Sequence, residues 1–423
     1  MLHKLPVEIV LDIASFLDTD DENDNFELGV RPDLDSLRQC SRHLYEVFTP
    51  LRFRDIGLRM TNSFSAGGFW RQSPDGLAVV YFSKLLVNKP YIAGFVRSLE
   101  LFAYPGPDSC FSPIEPAPSR AEYERIVWSA CCSESESQKW LDDLLDGNED
   151  AFIALLLVQL KELDTLKLTV PEADRCPHLT RVIHRAAEPG GCGYLSKLKN
   201  VWVSEGPTSE DYKSGYSQLT LPRLAPFFHL PSIRRFKSWH LSTAAPSSAW
   251  QTGFFDRQSP VTSISFYHVM GMGLPPDLPD LISSCTRLES FEYMPDMWID
   301  EGYNDTLDPT VFYSPLRYSI STFETLSLRI DPRVPDYPMA PNLQGRQFFG
   351  SLSGFTALKN VQMRMSELIP FYWYGLEPAS ALTDRLPASL EVLHITHVHT
   401  EALPYLVKNS RTWFDSGIVA SPC

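Results

Sequence analysis

Four side chains able to ligate a metal, Cys176, His178, His184 and Cys192, fall within 17 positions. Thiolate and imidazole are zinc donors. Their spacing, however, contains no Cys-x-x-Cys or His-x-x-x-His pair, so they read as unrelated loop residues. His394, His397 and His399 crowd the last strand-like segment. Alternation puts His397 and His399 on one face, but no cysteine or carboxylate completes a site. Gly190-Gly191-Cys192-Gly193 lacks the Lys-Ser/Thr of a phosphate cradle and reads as a turn after Pro189. No Gly-x-Ser-x-Gly elbow occurs. The expectation is a chain with no catalytic residue, cofactor or metal: not an enzyme.

The elements that would position any site repeat themselves. A Leu-x-x-Leu-x-Leu-like unit reads Val96/Leu99/Leu101, Leu163/Leu166/Leu168, Leu198/Val201/Val203, Ile233/Phe236/Ser238 and Val261/Ile264/Phe266. It continues as Leu288/Phe291/Tyr293, Phe323/Leu326/Leu328, Leu358/Val361/Met363 and Leu390/Leu393/Ile395, with Phe53/Ile56/Leu58 as a tenth. From Leu166 the middle positions lie 35, 35, 28, 27, 35, 35 and 32 residues apart. A unit of this size cannot bury its own apolar face and must stack on neighbours. The period-two pair predicts a short parallel strand in each unit. Ala151–Glu162, Leu179–Glu188, Pro279–Ser284 and Gln347–Leu352 carry helical patterns between strands.

These units resemble degenerate leucine-rich repeats, with Ser284-Cys285-Thr286-Arg287-Leu288-Glu289-Ser290-Phe291 closest to the cysteine-containing subclass. The asparagine or cysteine usual five residues after the middle position is replaced by Tyr104, Pro171, Gly206 and Leu241. An irregular solenoid without the regular carbonyl-bonding ladder is therefore expected. A doubly wound βαβ fold is the structural competitor, but no glycine-rich turn follows a strand.

The first fifty residues follow a different pattern. Leu5, Ile9, Ile13 and Leu17 recur every four, with Pro6 suited to a first helical turn. Leu34, Leu37, Cys40, Leu44, Val47 and Phe48 form a second amphipathic set, which Thr49-Pro50 should end. Leu5-Pro6-x-Glu8-Ile9, Ile13, Leu17, Leu37-x-x-Cys40-x-x-x-Leu44 and Pro50-Leu51 resemble an F-box, over about 55 residues. The departure is an insert at roughly Asp18–Asp33. The resemblance implies docking to a SKP-type linker and, through it, to cullin. Leu5, Pro6, Ile9, Ile13, Leu37 and Leu44 would be the linker-contacting or supporting positions. It also implies a substrate-recognition adaptor of an SCF-type ubiquitin ligase. A leucine-rich-repeat scaffold without a ligase role stays open beside it, as does, further off, a hidden hydrolase or transferase.

The expected fold class is therefore α/β: an F-box at residues 1–57, then a leucine-rich solenoid over 58–423 with an insertion at about 105–150. Short parallel strands would line the concave face, with helices and loops outside. Residues one and three after each middle position point into that face. Trp202, Trp239, Tyr267, Arg329 and Arg364 lie at such places and are the expected substrate strip, since aromatics and Arg dominate binding hot spots. A bulge near Phe236–Leu241 could instead turn the aromatics inward. The insertion has a proline-rich stretch, Pro105–Pro118, a capping box at Ser119-x-x-Glu122, and a polar acidic run, Ser133–Ser137. It reads as a hairpin-like excursion or as one disguised repeat.

Bulk properties agree. The chain has 423 residues, 43% hydrophobic and 12% aromatic, enough for a sizeable core. Its formal charge of −15 disfavours nucleic acid or an anionic membrane as partner. Asp18–Asp35 carries −7 and Glu134–Asp150 carries −6, which leaves the rest nearly balanced. Both acidic runs are expected as solvated loops or loop-rich excursions, with electrostatic tuning of partner docking as the alternative. The longest apolar run, Ala151 to Leu160, is short of a membrane span and broken by Gln159. Glu8 and Asp12 interrupt what might otherwise pass for a signal peptide. Eight cysteines without paired spacing suit a reducing compartment, cytoplasmic or nuclear.

Overall fold

In each repeat an apolar residue and the one two places on share a face, and that face closes a core. The computed structural model describes residues 6–17, 32–59, 63–64, 70–71, 78–102, 120–170, 176–205, 219–243, 257–269, 274–275, 277–295, 309–329, 348–368, 382–396 and 398. The chain divides into two compact units, residues 1–208 with 230–232, and 209–229 with 233–423.

The first unit carries β1 (Asp55–Arg59), a small antiparallel hairpin of β2 (Ser63–Phe64) and β3 (Trp70–Arg71), then β4 (Ser98–Phe102), β5 (Thr165–Val170) and β6 (Asn200–Glu205). Strands β1, β4, β5 and β6 pair in parallel, with Ile56, Leu99, Leu166 and Val201 side by side. The second unit carries β7 (Arg235–Trp239), β8 (Ser263–Val269), β9 (Ser290–Pro295), β10 (Thr325–Leu328), β11 (Asn360–Arg364) and β12 (Val392–Thr396). There Phe236, Ile264, Phe291, Leu326, Val361 and Leu393 align across parallel neighbours. These ten residues are the middle positions expected from the repeat, and all ten are buried. At roughly 1.5–3 kcal/mol per buried large apolar side chain, the aligned row is one substantial cohesive element of each unit. In the second unit aromatics take over the leucine role. Phe228 and Phe236 lie 4.4 Å apart between ring centres, and Phe312 packs 5.1 Å from both Phe291 and Tyr293.

The missing asparagine ladder has a counterpart elsewhere in each repeat. A backbone ladder runs just before the strands. Arg54 C=O accepts the N–H groups of Arg97 and Ser98, and Arg97 C=O those of Asp164 and Thr165. Asp164 C=O in turn accepts from Lys199 and Asn200. In the second unit the carbonyls of Arg234, Thr262, Glu289, Glu324 and Lys359 each accept two N–H groups from the following repeat in the same way. Side-chain hydroxyls add further links. Ser319 Oγ donates to Cys285 C=O (2.8 Å) and Ser389 Oγ to Leu358 C=O (2.8 Å). These carbonyls are thus paired between repeats without the usual asparagine.

Three helices precede the strands: α1 (Val7–Leu17), α2 (Pro32–Cys40) and α3 (Arg42–Arg52). Val10, Leu34, Leu44 and Phe48 form their small core, edged by Leu37, Val47 and Leu51. Ser41 Oγ caps α3 by accepting Leu44 N–H. Asp35 ties the pair together, 2.8 Å from Arg38 and 3.1 Å from Arg52. Helix α3 does not stop at Thr49. Pro50 is accommodated in its last turn, and Phe53 N–H still reaches Thr49 C=O.

The described part of the insertion is helical rather than a hairpin. After α4 (Ala78–Asn88) and β4 come α5 (Arg120–Ala130), α6 (Glu134–Leu145) and α7 (Glu149–Gln159), then β5 and α8 (Pro177–Ala187). The acidic run expected as a loop opens α6 instead. Ser133 Oγ accepts Glu136 N–H, and Glu134 and Glu136 sit where the helix dipole favours acids. Trp140, Leu141 and Leu144 then supply a buried stripe. Helix α7 is packed by α4, α5, α6 and α8, so its apolar residues are buried all round. Leu278–Ser284 is helical as expected, whereas 348–352 is irregular. Gly350 has φ +121°, and a Cβ there would lie 2.9 Å from the Tyr313 ring. The Pro105–Pro118 stretch, the segment 18–31 and the C-terminal 399–423 lie outside the described residues.

Candidate functional site

The N-terminal helices bury one side of α1 through Val10 and leave Val7, Ile9 and Leu11 at 43%, 45% and 38% exposed. Of the expected docking positions, Pro6 and Ile9 are exposed, Leu37 is half-buried at the edge of the small core, and Leu44 is inside it. Ile13 lies on α1, and Leu5 is outside the described residues. On α1, Val7 and Leu11 flank the core residue Val10 on one side and Ile9 on the other, while the exposed acids Glu8 and Asp12 lie opposite it.

On the strands, outward positions alternate with the buried rows. In the first unit Trp202 on β6 is half-buried, its ring 5.5 Å from Lys167 Nζ on β5. Lys167 is also 3.3 Å from Glu100 on β4. A cation lying over an indole and paired with a carboxylate is held in place. Thr169 and Ser204 hydroxyls meet at 3.2 Å beside them.

In the second unit β7 keeps strict alternation: Phe236 and Ser238 point inward, Lys237 and Trp239 outward. The reversal considered for this segment does not occur. The irregularity comes one strand later, at a register shift between Tyr267 and Val269. There His268 adopts φ +51°, and His240, at the equivalent place after β7, has φ +61°. Left-handed backbone is uncommon outside glycine, and bulges re-aim side chains. Here they gather four rings. Trp239 lies 5.4 Å from Tyr267 and 4.9 Å from His268, and His240 is 5.7 Å from His268. Both histidines sit four residues after a middle position, so the repeat itself marks them. Sequence reasoning that looked only one and three residues on passed over them.

Beyond the rings, Glu292 on β9 accepts a short hydrogen bond from the Tyr267 hydroxyl and pairs with Arg329 at 2.9 Å. Arg329 Nε also donates to Ser327 Oγ and Gln362 Oε1, both at 3.1 Å. Burial and then the Glu292 carboxylate push the Tyr267 phenol up to about 12, so the ring stays neutral. Arg329 is thus a fixed part of the surface rather than a free arm. Arg364 is 4% exposed and drops out of any exposed strip. It stands at the junction of β11 with the short helix Met365–Leu368, and its backbone N–H reaches Glu367 Oε2.

The metal-type residues do not converge. Cys176 is buried and Cys192 exposed. His178 stacks on Trp140 (5.4 Å) and meets Asp143 at 2.6 Å. Among the described residues no three His, Cys, Asp or Glu side chains form a metal-holding group. His394 is half-buried on β12, and His397 and His399 lie outside the described residues. The Gly190–Gly193 segment is a turn, with φ +76° and +73° at its two ends.

A family model described as a leucine-rich repeat domain matches residues 76–423. No curated protein matches the chain.

Proposed function

Because the chain belongs to the leucine-rich repeat family, we propose that it serves as the substrate-recognition adaptor of an SCF-type ubiquitin ligase. In this reading the N-terminal helices dock a SKP-type linker, and cullin through it, while outward strand residues hold a target protein. One observation carries it. Val7, Ile9 and Leu11 stand exposed on the two flanks of a helix that Val10 anchors in its own core, apolar surface that suits cover by a partner. The F-box-like order of residues names that partner. The chain contributes proximity rather than bond chemistry: tethering raises the effective concentration of the target near the conjugating enzyme. Trp202, Trp239 and Tyr267, half-buried and outward, support the target-binding role, and the free thiols of Cys40, Cys131, Cys132 and Cys192 suit the cytoplasm or nucleus.

The test is reconstitution from purified components. The full chain should retain a SKP-type linker, and cullin in its presence, and Leu5→Ala/Pro6→Ala should lose both. Failure of the intact chain to hold the linker overturns the adaptor reading. Retention of the linker without cullin leaves a leucine-rich-repeat scaffold.

A further inference from the structure

The first turn of α7 holds two buried acids in sequence. Asp150, 5% exposed, has a clear task. Its Oδ2 accepts His178 N–H at 2.7 Å and its Oδ1 accepts Leu179 N–H at 3.0 Å. It thereby caps α8, whose own N-cap residue, Cys176, makes no side-chain cap bond. The surroundings are equally settled. Trp140 Nε1–H donates to Ala151 C=O at 3.0 Å, and the Trp140 ring stacks on His178, whose Nε2 meets Asp143. Glu149 is the residue left over. It is 4% exposed, and neither carboxylate oxygen has a hydrogen-bond partner.

We propose that Glu149 is a proton-controlled latch on the α6–α8 layer: with its carboxyl neutral, the first turn of α7 stays seated beneath α8, and with the proton gone this turn lifts and releases the cap on α8. The reason is that an ionised Glu149 would sit desolvated, without a counter-ion, directly beside Asp150, and two neighbouring buried carboxylates do not both ionise. Burial pushes the Asp150 carboxyl up as well, but its ionised form, unlike that of Glu149, receives two N–H donors and the positive end of α8. Burial, and secondarily the Asp150 charge, push the Glu149 carboxyl up to about 8.

The other helices packed against α7 offer no rescue in the present arrangement. From α4 comes Lys84, from α5 Tyr123, from α6 Asp143 and Glu136, and from α8 His178 and His184. Glu136 is already committed to Arg185 at 2.6 Å, and Asp143 to His178. The sign follows from linkage. The opened turn exposes a carboxyl that ionises near its ordinary 4.5, whereas the seated one keeps its proton to about 8. Opening is therefore favoured by about tenfold per pH unit across that interval and levels off above it.

The experiment is hydrogen exchange with mass-spectrometric readout on the full chain, from pH 6 to 9, corrected for the intrinsic pH dependence of amide exchange. Peptides covering the first turns of α7 and α8 should lose protection by about tenfold per unit up to about pH 8 and then level. In Glu149→Gln the slope should vanish and protection at pH 8 should exceed that of the parent. Glu149→Met, which fills the site without a titrating group, should behave alike and guards against a fault peculiar to the amide. A flat profile in the parent overturns the latch. So does a slope that survives both substitutions, because His178, Asp143 or Asp150 would then be the titrating group.

Discussion

Replacing Val7, Ile9 and Leu11 together by alanine removes the exposed apolar side chains on both flanks of the first turns of α1 while keeping a strong helix former at each place. Among the described side chains of α1 only Val10 belongs to the small core, so the triple variant should unfold within about 1 kcal/mol of the parent, as surface substitutions do. Its effect falls on docking. Full burial of a large aliphatic side chain contributes roughly 1.5–3 kcal/mol. The three residues keep 43%, 45% and 38% of their surface accessible, and covering that remainder contributes about 2–4 kcal/mol in all. At 1.4 kcal/mol per decade, affinity for the linker should drop roughly 30- to 1,000-fold. Isothermal titration of a purified SKP-type linker into parent and variant chains reads this directly. A change below about threefold, with the variant folded, would refute the assignment of these side chains to docking. A collapse in urea stability would instead show that the three side chains belong to an interior.

Leu326→Ala, at a fully buried middle position of β10, should cost about 2–5 kcal/mol in urea unfolding, and a loss under 1 kcal/mol would contradict the aligned row as a substantial cohesive element. Tyr267→Phe removes the hydroxyl that donates to Glu292 and should lower stability by about 1–2 kcal/mol, seen as a shifted urea midpoint with unchanged slope. An unmoved midpoint would mean that this contact contributes nothing. Gly350→Ala should destabilise by at least 1 kcal/mol, because φ +121° is hostile to a side chain and the new Cβ would meet the Tyr313 ring; an unchanged melting temperature would refute it.

The strands were the most legible part of this sequence, because a period-two apolar pair at nearly constant spacing has one reading. Every middle position from Ile56 to Leu393 is found where the pattern places it. The acidic run after Ser133 was misread because its charges looked like solvent exposure. Their meaning depends on Ser133 as a cap and on Arg185, 49 residues away, as partner to Glu136. Long-range pairing of that kind leaves no local mark. Trp239 and Tyr267 were legible as outward residues, but the ring cluster was not, since it depends on the backbone sign at His240 and His268. Arg364 looked equivalent to Arg329 by count. Arg364 is buried where a short helix, Met365–Leu368, directly follows β11, while Arg329, just past β10, pairs with Glu292.

The backbone ladder ahead of the strands has an evolutionary consequence. Its acceptors belong to Arg234, Thr262, Glu289, Glu324 and Lys359, residues with no side-chain chemistry in common. The backbone part of the joint is made of peptide groups, to which side chains add only in places, as in Lys359 with Glu324 (2.9 Å), so it tolerates different residues at that position. Copying or dropping the 35-residue block between Glu324 and Lys359 would regenerate the same joint at the seam. Recombination can therefore lengthen or shorten the strand stack in whole steps without inventing a new interior, and the span offered to a target becomes heritable variation of the simplest kind.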